Sequence, residues 1–173
     1  MSPPIEIGEE MYLYYRGSPE GESSFYSESA VGLARFRKDR FIGQRAGDMT
    51  GYLLTREFVL EGSQLVLNCS ALPKVYYPRE TTGIRVEIFE APDYNLPGDR
   101  FDAFGHLIRS AETMHEKPVP GFSMEDSDAI ITDNTAHVVT WNGKSDLSAL
   151  QGKRIFLRFK MRHATLFSFQ IAP

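Results

Sequence analysis

The sequence predicts an all-β protein: an antiparallel β-sandwich of jelly-roll type with an additional β-hairpin at its N-terminal end. Three observations predict it. Between Arg154 and Ile171 hydrophobic and polar residues alternate with a period of two, the spacing that puts successive side chains on opposite faces of a strand and that no amphipathic helix produces. Ile155, Leu157, Phe159 and Met161 share one side, with Arg154, Arg158 and Lys160 on the other and Phe156 as the exception. Phe167, Phe169 and Ile171 repeat the pattern against Ser168 and Gln170, so two adjacent strands joined at Arg162-His163-Ala164 are expected. The second observation is turn chemistry, above all Asn142-Gly143, a pair suited to the positive φ angles of a tight hairpin turn. The third is the number of short runs, about nine, separated by such signals at short spacing, as in two-layer β folds.

Taken in order, Ile5 to Ile7 and Met11 to Tyr15 flank Gly8-Glu9 and read as a small hairpin. Residues 17–29, rich in Gly, Ser, Pro and Glu, read as a linker. The expected division is therefore hairpin and linker over 1–28 and sandwich over 29–173. Runs hinged at Lys38-Asp39 and at Glu61-Gly62 follow, with Leu54, Phe58 and Leu60 on one side of the latter pair and Leu65, Leu67 and Cys69 on one side of its second run. Residues 72–82 form a loop, and 84–88 a strand with Ile84, Val86 and Ile88 inward and Arg85 and Glu87 outward. The pattern dissolves over 92–117, an insertion in which only 104–114 has helical character. An acidic bend then leads back to sheet and to Trp141. Asp146 is placed to cap a single helical turn at 147–150, which Gly152 can leave with positive φ.

At 173 residues and 42% hydrophobic composition, the chain can build one sizeable core. A net charge of -4, with basic residues scattered over strands, argues against nucleic acid as a partner. The single cysteine, Cys69, excludes an intrachain disulfide and, spaced by two from Leu65 and Leu67, reads as a buried thiol. No apolar run approaches the ~20 residues of a membrane-spanning helix, so no membrane partner is expected. The first residues, MSPPIEIGEE, carry no recognisable secretion signal, which leaves the compartment open.

The ordered series GLARFRKDRFIGQRAG, the strand pair around Glu61-Gly62, IRVEIFE, VPGFSMEDSD and HVVTWNGKSDLSALQGKRIFLRFKMRHATLFSFQ resembles the C-terminal β-sandwich that follows the five-bladed propeller in glycoside hydrolases of the invertase, levansucrase and arabinanase type. EIGEEMYLYYRG likewise resembles the last hairpin of such a propeller. The resemblance implies that the catalytic carboxylates sit in the propeller, beside which the sandwich packs. No Asn-Asp-Pro-Asn-Gly or Arg-Asp-Pro segment is found here, so the expectation is a non-catalytic accessory module, not an enzyme. Its expected partners are a propeller domain in a longer parent, a polysaccharide or oligosaccharide, or a second copy of itself. A structural or oligomerisation domain without a ligand is the alternative. An independent hydrolase using the inserted loop is a third reading.

Candidate site residues follow from chemistry. Sugars offer apolar faces to aromatic rings, and functional residues collect on loops. Tyr76, Tyr77 and Tyr94 stand on proline-bearing loops, and Trp141, the only tryptophan, ends a strand at a turn. The tryptophan shares a strand face with Val139, which also suits a core position. Glu125, Asp126, Asp128 and Asp133 supply hard oxygen ligands for a calcium ion, while as turn residues they need no ligand at all. A glycosidase requires two opposed carboxyls, and an acidic bend has no evident opposite wall. No other cofactor is expected. Histidines 106, 115, 137 and 163 are too dispersed for a metal site, and no GxSxG elbow is present.

Overall fold

The computed structural model describes residues 3–18, 29–73, 82–91 and 117–173. The chain forms two compact units that meet in sequence at Ile42 and Gly43.

In the first unit β1 (Ile5–Ile7), β2 (Glu10–Gly17) and β3 (Ala30–Arg37) form an antiparallel sheet in that order. Gly8, at φ 62°, closes the first turn. The expected boundary at residue 28 is corrected here. β3 pairs with β2 along its whole length, from Glu10 opposite Arg37 to Gly17 opposite Ala30, and not with the sandwich. A two-stranded ribbon is marginal in water, and β3 gives β2 a second ladder of backbone hydrogen bonds. It also brings an ion pair between Arg35 and Glu10.

The second unit contains β4 (Gln44–Ala46), β5 (Gly51–Leu54), β6 (Phe58–Val59), β7 (Gln64–Ser70), β8 (Gly83–Glu90), β9 (Asp133–Val138), β10 (Arg154–Arg162) and β11 (Ala164–Ala172). One sheet has the order β4-β11-β7-β9, and in the other β10 is flanked by β8 along one edge and by β5 and then β6 along the other. Thr55 bridges the gap between β5 and β6, its amide donating to the Leu157 carbonyl at 2.9 Å and its hydroxyl accepting from the Leu157 amide at 2.9 Å. Residues 117–130 run along the outer edge of β8, held by Val119 N–H to Ile88 O at 2.8 Å and by the reciprocal Ile84 and Ile130 bonds. The first strand of this unit, β4, thus pairs with the last, β11, the second, β5, with the next to last, β10, and β7 with β9, in a nested order. This is the jelly-roll connectivity the alternation predicts.

The core lies between the layers. Leu65, Leu67 and Cys69 of β7 meet Ile84, Val86 and Ile88 of β8 and Ile155, Leu157 and Phe159 of β10, all fully buried. Phe169 of β11 reaches across to Phe159 and Phe58, with ring centroids 5.8 and 6.1 Å apart.

Two expectations about the last strands are revised. β10 and β11 alternate as expected but are not neighbours in one sheet. The chain crosses from one layer to the other at His163, which takes a left-handed φ of 47° to turn the corner. Phe167 does not share a side with Phe169 and Ile171 either. The β11–β7 register shifts between Leu166 and Ser168, so Phe167 is the extra residue of a β-bulge. Phe156, the exception to the alternation, stacks on Phe89 directly opposite, with centroids 5.0 Å apart and planes 4° from parallel. Beside it Glu87, only 3% exposed, pairs with Arg158. That sheet therefore buries part of its second face as well.

Candidate functional site

Of the predicted ligand contacts, Tyr76, Tyr77 and Tyr94 lie outside the described residues. Trp141 is not a surface platform. It is 2% exposed, donates its indole Nε1–H to the Val86 carbonyl at 2.8 Å and meets Phe122 edge to face at 5.3 Å. The turn after it, with Asn142 at φ 50° and Gly143 at φ 76°, has the two positive φ angles the dipeptide predicts. That turn sets Lys144 opposite Trp141 and leaves the indole facing the core.

The four acids do not converge. Asp126 Oδ2 accepts from the Ser123 hydroxyl at 2.7 Å and its amide at 3.2 Å, while Oδ1 accepts from Asn142 Nδ2 at 2.9 Å. Asp128 Oδ2 accepts from the Thr140 hydroxyl at 2.6 Å and the Gly143 amide at 2.8 Å. Both carboxyls therefore fasten the acidic bend to the Trp141 turn. Their pKa values are lowered, chiefly by the Ser123 hydroxyl for Asp126 and the Thr140 hydroxyl for Asp128, because these bonds favour the charged form. Glu125 is exposed, and Asp133 opens β9 opposite Ser70. Among the described residues no group of three or more histidine, cysteine or acidic side chains is arranged to hold a metal ion.

The surface with the strongest chemical demand is the N-terminal sheet. Residues directly opposite in an antiparallel ladder share a face. One face carries Met11, Leu13, Ala34 and Phe36, buried or half-buried, with the Phe36 ring against Phe41 at 4.2 Å. Tyr15 lies across Gly32 on that face, where a Cβ would overlap its ring. The opposite face carries Ile5, Ile7, Tyr14, Val31 and Leu33, between 48 and 79% exposed. Its carboxylate is already paired: Glu10 accepts from Arg35 Nε and the Tyr12 hydroxyl, each at 2.8 Å, and its pKa is lowered first by Arg35 and then by Tyr12. Covering this face would strand no unpaired carboxylate.

The signal for this face is in the sequence and is easily passed over. Met11 to Tyr15 is a continuous apolar run, without the alternation of a strand that faces water on one side. Such runs belong to strands covered on both faces. The chain matches no protein-family model, no curated protein and no solved structure.

Proposed function

We propose that this chain is a non-catalytic accessory module of a glycoside-hydrolase-like protein, in which the jelly-roll sandwich is attached through its N-terminal sheet to a propeller-type β domain. The observation that carries the reading is the second apolar face of that sheet, Ile5, Ile7, Tyr14, Val31 and Leu33, with its ion pair satisfied internally. The resemblance of the chain to a sandwich that follows a propeller supplies the partner. The acidic residues of the bend are committed to holding turns together, which supports a structural role for them.

Two measurements test this. Val31→Lys and Leu33→Lys should leave the melting temperature of the isolated chain nearly unchanged, because substitutions at exposed positions cost within about 0.5 kcal/mol, and should abolish association with a coexpressed five-bladed propeller encoded in the same genome. Absence of any such propeller from that genome, or hydrolysis of fructan, arabinan, xylan or β-glucan by the purified chain, overturns the proposal. A second reading, self-association, is favoured by the outer edges of β1 and β3, which no described strand covers. Light scattering over a range of concentrations separates the two: a dimer dissolved by Leu33→Lys assigns the face to a second copy.

A further inference from the structure

At one end of the β4-β11-β7-β9 sheet, Arg45, Thr165 and Ser70 stand directly opposite one another on three neighbouring strands. Their neighbours Ala46, Leu166 and Cys69 are buried in the core, so this row faces outward. The row lines an open cavity of about 350 Å³ with Asp48 and His163 at its side and Leu72 and Pro73 as an apolar wall. His163 is held there by the corner between the two sheets. Its side chain is 6% exposed, its amide donates to the Gly47 carbonyl at 3.1 Å, and its Nδ1 lies 3.6 Å from Asp48 Oδ1. No hydrogen bond or ion pair engages the side chains of Arg45, Ser70 or Thr165 among the described residues.

We infer that this cavity is a binding site for a carboxylate carried on a hydroxylated ring, that is, a uronic acid unit of a saccharide. The guanidinium of Arg45 presents paired donors that match a carboxylate. The Thr165 and Ser70 hydroxyls both donate and accept, as ring hydroxyls require. Asp48 accepts from a further hydroxyl, and Leu72 with Pro73 offers the apolar surface on which the C–H face of a sugar ring rests. The volume lies at the lower end of the range of about 300 to 1,000 Å³ for small-ligand sites, enough for one or two rings and no more. A neutral sugar would offer the guanidinium only single, uncharged hydroxyl acceptors in place of the paired oxygens of a carboxylate. The site is built wholly from residues of the second unit and does not depend on the docking face of the first.

The test is calorimetric titration of the full chain with galacturonate and its dimer, against galactose, acetate and inorganic phosphate as separate probes. Saturable binding of the uronates at millimolar concentration or below is expected, with no saturation by galactose. Arg45→Gln should weaken it at least tenfold and Thr165→Val severalfold, with the circular dichroism spectra of both variants unchanged. Absence of uronate binding overturns the assignment, and so does binding that survives Arg45→Gln. An equal response to acetate or phosphate also overturns it, by reducing the site to one for simple anions.

Discussion

Replacing Trp141 by alanine separates a core residue from a ligand platform. The side chain is 2% exposed, its Nε1–H is bonded to the Val86 carbonyl at 2.8 Å, and its ring packs on Phe122. Truncating a buried tryptophan removes its transfer free energy and leaves a cavity, together about 3–5 kcal/mol. At roughly 2–4 °C per kcal/mol for a chain of this size, Trp141→Ala should lower the melting temperature by about 6–20 °C. Trp141→Phe retains much of the ring contact but takes the donor from Val86, and should fall between wild type and alanine. Since this is the only tryptophan, its emission reads the same site directly. It should be blue-shifted and poorly quenched by iodide in the folded protein, and unmoved by saccharides. A melting temperature within 1 °C of wild type for Trp141→Ala, or quenching by a bound sugar, would refute the argument that this indole is structural.

Three further outcomes are expected. Glu87→Gln leaves Arg158 without its buried carboxylate; breaking such a pair costs about 3–5 kcal/mol, which a urea titration followed by tryptophan emission should show. Asp126 and Asp128 have pKa values below the ordinary carboxylate range, so the stability they contribute is complete above about pH 4 and is lost as pH falls through their lowered folded values. Melts taken from pH 6 down to pH 2 should therefore steepen in the acid limb, and Asp126→Asn with Asp128→Asn should flatten that limb. Gly62 lies beneath the last strand, where a Cβ would collide with the Ala172 carbonyl. Gly62→Ala should cost about 1–3 kcal/mol of overpacking, while Gly121→Ala, with open space around it, reports only the strain of its φ of 85°.

What was legible in the sequence was what neighbouring residues encode. The alternation of β10, the two positive φ angles at Asn142 and Gly143, the Ser148–Leu150 turn with the Ser148 amide on Asp146 Oδ1 at 2.8 Å, and the exit at Gly152 with φ 78° are all local properties. Pairing is not. β10 and β11 carry the same period, and nothing in Arg162-His163-Ala164 distinguishes a hairpin from a step between layers. β3 alternates much like a sandwich strand, and only the matching of Glu10 with Arg35 and of Tyr14 with Leu33 assigns it to the first unit. Trp141 was ambiguous because position at a turn suggests exposure. The bonds that turn it inward come from Val86, 55 residues earlier. The row Arg45, Thr165 and Ser70 is likewise invisible until three distant strands are set side by side.

The nested pairing has a consequence for how the protein is made. β10 and β11 are each an interior strand of their sheet, and they are the last two strands of the described chain. During translation β4, β5, β6 and β8 emerge before the interior strand they flank, so neither layer can close until residues 154–172 have left the ribosome. Contacts this distant in sequence form slowly, and until then the nascent chain leaves β4, β5 and β6 without their partner strands. Synthesis arrested shortly before Arg154 should therefore yield a protease-sensitive chain dependent on chaperones, however well each of its strands is written.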